Sequence, residues 1–407
     1  MARGMRVLAA SWVLLVFAGT ESPARDQKTY EADLEAFTSE VDANYPFFEL
    51  KGIQEDWDLM KGELSKRVKT CRSDEEFLKI VVDAIRCVRD AHMGFRETRV
   101  DLPRPPAEYC PGISFMPATD GRVIVMYPPE GFEKRMPTGT VVTHIDGKDA
   151  RTFLDERAKE AWNSGGSFSS PQRARLFEYR MPLRGRRGEK HAIVCRIKTQ
   201  MKKALLQSTV EARGWPHTYN LPANLVQAGK SFRYAKLAGG TGYMYIRRLD
   251  ASIEPGIARA IEAHPDAKGW IVDLRGNGGG GYDKALIDRI KTLPPPVAVI
   301  IDAGCVSAGE TFARDLARYA GARLFGSKTA GASSSKRGWT FPSGIATITF
   351  SARSRWRSDG KPIEFNGIEP DVEVEADPAE VAKGMNSQIR KAEEYLHEQA
   401  KRLREED

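Results

Sequence analysis

The sequence has few of the cysteines and histidines that bind zinc. Its 407 residues include five cysteines and six histidines, and no two cysteines form a Cys-x-x-Cys pair. The cysteine spacing matches no zinc site, so we expect no metal, and nothing in the chain calls for an organic cofactor. The net charge is only +7, and the basic residues are dispersed without an interleaved aromatic stripe. This pattern argues against nucleic-acid binding.

Long apolar runs are missing beyond the first 24 residues. Residues 7–18 are almost entirely apolar, follow Arg3 and Arg6, and precede several small residues. This arrangement is typical of a signal peptide, and the run is short for a membrane span. We therefore predict an exported protein, periplasmic or secreted, with no stable membrane insertion after cleavage. An uncleaved anchor helix is the alternative. Export would permit one or two disulfide bonds, whose pairing the sequence does not specify.

The length of the chain predicts more than one domain. Early apolar residues recur at helical spacing, and Ser73 with Glu76 is a plausible capping box for one of these helices. Short strands follow a proline-rich break at 102–106, and strand–helix alternation is clear from Gly242 onward. Residues 200–240 show no clear pattern. The predicted units are a signal peptide (1–24), a helical domain (25–104), a β-rich module (110–199), an α/β core (200–377) and a C-terminal amphipathic helix (378–407).

Ser307 lies where a buried strand meets a helix. The apolar, largely β-branched residues 297–301 predict the strand, and residues 308–320 have helical periodicity. A serine at such a turn exposes its hydroxyl at the carboxyl end of the strand, beside unpaired N–H groups of the helix start. Ser307 is therefore a candidate nucleophile. The alternative is a simple N-cap, with Glu310 completing a capping box. Cys305, two residues earlier, is interpreted as a small buried residue of the turn.

A glycine run at 276–281 also follows a predicted strand and leads into a helix. It lacks the Gly-Lys-Ser/Thr of a P-loop and is not placed as a dinucleotide-binding turn would be. Its N–H groups face the same edge of the sheet as Ser307. The run is therefore either a flexible turn or a loop that donates hydrogen bonds to an oxyanion.

Four ordered motifs in the second half of the chain resemble those of the S41 serine peptidases, which include the carboxy-terminal processing proteases and the tricorn core proteases. The motifs are VDLRGNGGG at 272–280, SAGE at 307–310, GSKTAG at 326–331 and NGIEPD at 366–371. The resemblance implies a multidomain α+β fold, with an α/β core like those of ClpP and crotonase. It also implies that residues 110–199 form a PDZ-like module.

The resemblance further implies a catalytic arrangement. The processing proteases use a Ser-Lys dyad, but Ala332 stands at the lysine position here, and Lys328 and Lys336 are out of register. The tricorn-like branch uses serine, histidine and glutamate, which correspond to Ser307, His92 and Glu364. Tricorn has a serine just before its histidine, whereas this chain has Ala91. The resemblance thus implies a triad rather than a tetrad.

Each group has a chemical role in such a triad. His92 would take the proton from Ser307 and return it to the leaving amine, and Glu364 would orient His92. The N–H groups of Ala308 and of Gly278 or Gly279 would bind the oxyanion. The expected function is an exported serine peptidase that cuts peptides or unfolded protein segments. The alternatives are an esterase or amidase with the same triad, and a non-catalytic binding protein on the same scaffold. The sequence specifies no oligomeric state.

Overall fold

The computed structural model describes residues 25–102, 106–166, 168–197, 199–212 and 219–406. The predicted signal peptide, residues 1–24, lies outside this part of the chain. The helices are α1 Gln27–Asn44, α2 Phe48–Lys51, α3 Gln54–Arg67, α4 Asp74–Val88, α5 Ala150–Asn163, α6 Pro171–Arg180, α7 Ile253–Ala263, α8 Lys284–Ile290, α9 Ala308–Ala320, α10 Pro378–Ala382 and α11 Ser387–Glu406. The strands are β1 Gly94–Thr98, β2 Tyr109–Cys110, β3 Ser114–Pro117, β4 Val123–Tyr127, β5 Val141–Ile145, β6 Lys148–Asp149, β7 Lys190–Ile197, β8 Gln200–Gln207, β9 Val210–Glu211, β10 Val226–Gln227, β11 Phe232–Lys236, β12 Gly242–Ile246, β13 Trp270–Asp273, β14 Val297–Ile301, β15 Arg323–Gly326, β16 Ser334–Thr340, β17 Ala346–Ser354 and β18 Val372–Glu373.

The described part has a mixed α/β fold with several sheets. The largest sheet has the order β10-β11-β12-β13-β14-β15-β18, and its strands from β12 onward run parallel. Every residue of β12, β13 and β14 is buried, as expected for parallel strands covered on both faces. Helices α7, α8 and α9 contribute to the core on one face, and α11 covers the other. The predicted strand–helix alternation is present from β12 onward. The segment predicted as one C-terminal helix forms two helices, α10 and α11, separated by residues 383–386.

A second sheet, β3-β4-β5-β7-β8 with β6 paired to β5, accounts for the β-rich segment. Helices α5 and α6 lie between β6 and β7 along the chain. The weakly patterned residues 200–240 contain β8 through β11. β8 is exposed along most of its length, so its side chains lack the alternation by which strands are recognised in a sequence.

The helical N-terminal segment shares its core with a distant hairpin. Ser73 caps α4 by accepting the N–H of Glu76 at 3.2 Å, while the Glu76 carboxylate accepts from Arg72 N–H at 2.8 Å, so half of the predicted capping box is present. The hairpin β16–β17 forms a third sheet with β1, in the order β1-β17-β16. Phe341 of this hairpin lies 5.6 Å from the Phe37 ring and 5.7 Å from the Phe77 ring. The N-terminal helices therefore bury their aromatic residues against a segment more than 200 positions later in the chain.

The structure describes all five cysteines and the length of each helix. All five cysteines are buried and unpaired, so the disulfide bonds that export would permit are absent. None of the helices formed by residues 25–406, where described, is long and apolar enough to cross a membrane.

Truncating Phe341 tests the shared core. Phe341 is 1% exposed, and Phe341→Ala should lower the free energy of unfolding by about 3–5 kcal/mol because it leaves a cavity among aromatic rings. Leu59→Ala on α3 is the matched control, since Leu59 is 75% exposed and its loss should change stability by less than about 0.5 kcal/mol. Chemical denaturation measures both. Equal effects in the two variants would contradict the packing described.

Candidate active site

Ser307 occupies a strained turn between β14 and α9. Its backbone has φ 55° and ψ −125°, a conformation that costs a non-glycine residue about 1–3 kcal/mol and persists only when its surroundings hold it. The N–H of Ser307 donates to the carbonyl of Ala332 at 2.8 Å, and its carbonyl accepts from the Ser333 hydroxyl at 3.1 Å. The loop after β15 therefore holds both sides of the turn.

Glu310 fixes the same loop from the first turn of α9. Its side chain is fully buried and accepts from the Thr329 hydroxyl at 2.6 Å, from Gly331 N–H at 2.8 Å and from Ala332 N–H at 2.9 Å. It also accepts from Ser307 N–H at 3.2 Å, as the capping alternative predicts. Burial raises the pKa of Glu310 to about 8, against the effect of these donors. Glu310 thus caps α9 and also fixes the loop that holds the Ser307 turn.

The glycine run lies directly against Ser307. A Cβ added to Gly279 would come within 2.8 Å of the Ser307 Cβ, and Gly279 has a φ of +77°, so only glycine fits. The N–H of Gly279 donates to Asn277 Oδ1 at 2.9 Å, and that of Gly278 donates to the Arg247 carbonyl at 2.9 Å. The N–H of Ala308 has no acceptor among the described residues. Of the three predicted oxyanion donors, Ala308 alone has its N–H unoccupied.

His92 follows α4 in a tight turn. Arg89 ends the helix in the left-handed region, and His92 N–H donates to Asp90 Oδ1 at 2.7 Å. The His92 carbonyl accepts from the Thr349 hydroxyl at 3.2 Å, which ties it to β17. Its Nδ1 is buried without a hydrogen-bond partner in the described chain. Burial lowers the pKa of His92, and the charges of Lys336 and Lys51 add to the lowering while Asp90 opposes it.

Glu364 is fully buried, and Lys51 binds one of its carboxylate oxygens. Its Oε1 accepts from Lys51 Nζ at 2.9 Å, whereas Oε2 has no partner among the described residues. Burial, and then the Asp90 carboxylate, raise the pKa of Glu364 to about 7, while Lys51 and the nearby Ser169 hydroxyl oppose the rise. Phe365 N–H donates to the Gly331 carbonyl at 2.7 Å. Glu364 is thereby anchored to the loop that holds Ser307.

No hydrogen bond joins Ser307, His92 and Glu364 to one another in the described part of the chain. The three are linked through shared neighbours instead. Residues 331–333 contact the turns of Ser307 and Glu364, and the hairpin β16–β17 continues from there to the His92 carbonyl. The structure supplies the two unpaired buried atoms, His92 Nδ1 and Glu364 Oε2, that a triad would join. The triad itself stays a prediction.

Sequence reasoning missed two side chains behind the site. Lys51 ends the short helix α2 and is fully buried on Glu364. Ser169, also fully buried, accepts the Ala91 N–H at 3.0 Å. Ser169 belongs to a Ser/Gly-rich stretch that is typical of loops, and a single lysine at a helix end is typical of a surface. Only the fold distinguishes these two residues from such ordinary positions.

The other candidate bases lie on the surface, and the charge of Lys336 acts on His92 from there. Lys328 pairs with Glu369 at 3.2 Å on the surface, and Lys336 is exposed on β16. His217 lies outside the described residues. The remaining described histidines have structural or surface environments: His144 is exposed, His191 lies 2.9 Å from Asp146, His264 contacts Tyr234, and His397 lies 3.3 Å from Thr241. Within the described ranges, no group of histidine, cysteine, aspartate and glutamate side chains is arranged to hold a metal ion.

Comparisons with known proteins agree with this architecture. The family model "Peptidase family S41" matches residues 288–374, which include Ser307 and Glu364. This segment of the chain is therefore similar to the S41 peptidases. A comparison with the curated proteins found no match.

Solved structures with the same fold cover nearly the whole chain. Mature CPAF complexed with lactacystin has a TM-score of 0.59 and 14% identity, covering 93% of this chain and 98% of that one. Another structure of mature CPAF has a TM-score of 0.60 and 13% identity, covering 92% and 97%. A candidate peptidase from Parabacteroides merdae ATCC 43184 has a TM-score of 0.50 and 17% identity, covering 90% and 96%. At these identities, the likeness shows the fold.

Removing the Glu310 carboxylate tests how the turn is held. Glu310→Ala leaves buried N–H and hydroxyl donors without an acceptor, and each such group costs about 1–3 kcal/mol. We expect the free energy of unfolding to fall by at least about 2 kcal/mol. The folded fraction should also react more slowly at Ser307 with a fluorophosphonate. Glu262→Ala, at an exposed position on α7, is the control. Unchanged stability and reactivity in Glu310→Ala would show that the turn holds without this carboxylate.

Proposed function

We propose that this protein is an exported serine peptidase that hydrolyses peptide bonds through Ser307, His92 and Glu364. The observation that carries the proposal is the strained Ser307 turn at the carboxyl end of β14, inside the segment that matches family S41. Serine at its ordinary pKa is a weak nucleophile and requires an adjacent base. The buried, unpaired Nδ1 of His92 and Oε2 of Glu364 support the assignment of these two side chains.

The proposed reaction uses these groups in order. His92 accepts the Ser307 proton as Oγ attacks the scissile carbonyl, and the imidazolium donates Nδ1–H to Glu364. The developing oxyanion is held by the N–H of Ala308, and then by Gly278 or Gly279. The amides of these glycines now donate to Arg247 and Asn277, so a glycine donor has to exchange its present acceptor for the oxyanion. Each oxyanion donor in comparable sites contributes about 3–4 kcal/mol. His92 then protonates the leaving amine, and water releases the acyl group.

Peptides and unfolded protein segments are the proposed substrates. The module predicted at 110–199 is assigned as PDZ-like, and the core predicted at 200–377 as the ClpP/crotonase type. Because β8 pairs with β7, the sheet of the module extends to Gln207, past the predicted boundary. β3 is an edge strand of its sheet, and a cavity of about 730 Å³ opens near it, lined in part by Phe115, Met126 and Leu176. An edge strand beside a helix suits a peptide that adds as a further strand. This geometry supports binding of a substrate's carboxyl end in the module.

Export is proposed from the first 24 residues, whose basic start, apolar run and small residues are typical of a cleaved signal. The other units keep their proposed bounds: a helical domain at 25–104 carrying His92, and a terminal helical segment at 378–407. The intact mass and N-terminal sequence of protein recovered from a periplasmic or culture fraction test this. A chain that retains Met1 in the cytoplasm would refute it.

Active-site labelling tests the triad directly. A fluorophosphonate should modify Ser307 in the wild type, and Ser307→Ala should abolish modification. His92→Ala should reduce its rate by at least about 100-fold, because the serine loses its base. Ser65→Ala and His144→Ala, both at exposed positions, are matched controls that should label normally. Labelling that survives His92→Ala would point instead to Lys328 or Lys336 as base.

The pH dependence of labelling should have an acid limb set by Glu364. The triad needs neutral His92 and ionised Glu364. Burial lowers the pKa of His92 and raises that of Glu364 to about 7. The higher of these two pKa values determines where the rate falls on the acid side, so the labelling rate should rise as pH increases through about 7. A limb near the ordinary glutamate range, below pH 5, would contradict this assignment.

The two alternatives predict different outcomes. A binding protein on the same scaffold would be folded but unlabelled. An esterase or amidase would label normally and turn over ester or amide substrates without cleaving an unfolded protein. Incubation with a reduced, unfolded protein and mass analysis of the fragments distinguishes a peptidase from both.

A further inference from the structure

Lys51 stands out because a fully buried ammonium is costly unless it is completely paired. Its Nζ donates to the Tyr45 hydroxyl at 2.8 Å, to the Arg89 carbonyl at 2.8 Å and to Glu364 Oε1 at 2.9 Å. Three acceptors match the three protons of an ammonium group. The side chains of Lys51 and Glu364 are both 0% exposed. The pair therefore joins the helical N-terminal segment to the α/β core, entirely away from solvent.

The charges around this pair are unbalanced. Four ionisable side chains interact with the Glu364 carboxylate. They are Lys51 of α2, Tyr45 at the end of α1, Asp90 after α4 and Glu310 of α9. Burial, and then Asp90 and Glu364, raise the pKa of Tyr45 well above its usual value, so the phenol stays neutral. Lys51 is thus the buried cation that faces the carboxylates of Asp90 and Glu364. The exposed Lys336 acts on His92 from β16.

We propose that Lys51 is a positioning residue for catalysis, which keeps the Glu364 carboxylate ionised and in place. Glu364 can then accept a hydrogen bond from protonated His92. This inference rests on the proposed triad and extends it to a side chain that touches neither Ser307 nor the substrate. With His92 neutral, Lys51, Asp90 and Glu364 together carry one net negative charge. Transfer of the Ser307 proton to His92 brings this group to neutrality. Asp90 favours the imidazolium and Lys51 disfavours it, so the contribution of Lys51 is to hold Glu364 ionised and in place.

Replacing Lys51 should move the acid limb of Ser307 labelling. Glu364 already has a pKa raised to about 7 with Lys51 present. Loss of the cation raises it further, so the carboxylate ionises only at higher pH. We expect the limb to shift upward by at least one pH unit in Lys51→Met, with at least about a fivefold slower rate at pH 7. Above the new limb, the rate should recover toward the wild-type plateau.

Two further variants keep the test decisive. Lys51→Gln retains a hydrogen-bond donor but no charge, and it serves if Lys51→Met does not fold. It should show the same direction of shift. Lys61→Met is the matched control, since Lys61 is a partly exposed lysine that pairs with Asp42 at 2.8 Å in the same helical segment. Its acid limb should coincide with that of the wild type.

The possible outcomes separate the two proposals. If Glu364→Gln labels like the wild type, the triad is wrong and the role of Lys51 falls with it. If Glu364→Gln abolishes labelling but the Lys51 variants keep the wild-type limb and lose rate equally at every pH, the triad stands and Lys51 is merely structural. An upward shift of the limb in both Lys51 variants, with none in Lys61→Met, supports the positioning role.

Discussion

The strained backbone of Ser307 is the constraint on which the site depends. A serine with φ 55° does not hold this conformation by itself. Gly279 leaves room for the Ser307 turn. The loop at 329–333 holds the turn through hydrogen bonds to its backbone and to the Glu310 carboxylate. The same loop anchors the segment of Glu364. One small region thus fixes both the nucleophile and the acidic member of the proposed triad.

Buried ionisable side chains are the second organising feature. Lys51, Asp90, Glu310 and Glu364 are all at most 5% exposed, and each would be costly if left unpaired. Glu310 is satisfied completely by donors of the protein. The group around Glu364 is not, because Asp90 Oδ2, His92 Nδ1 and Glu364 Oε2 lack partners within the described residues. A buried polar atom without a partner needs an explanation, and a role in catalysis is one such explanation.

The sequence predicted the parts of this fold whose patterns are local. The strand before Ser307, the helix after it and the Ser73 cap of α4 all follow from periodicity and capping, and the structure confirms them. The family motifs placed Ser307 and Glu364 in the matched segment. Lys51 and Ser169 could not be predicted, since their importance arises from burial beside residues far away in sequence. The pairing of the Gly278 and Gly279 amides was likewise invisible, because it depends on Arg247 and on the Asn277 rotamer.

The hairpin β16–β17 gives the chain an order of assembly. Its Thr349 hydroxyl holds the His92 carbonyl across 257 positions, and its aromatic residues complete the core of the N-terminal helices. Contacts this distant along a chain carry an entropic cost of loop closure and slow the folding of the chain. During synthesis, the first helices therefore cannot bury their aromatic rings in the native way until the hairpin has emerged. The candidate base reaches its final surroundings only when most of the polypeptide is complete, so a nascent or truncated chain contains His92 without the environment that the finished protein builds around it.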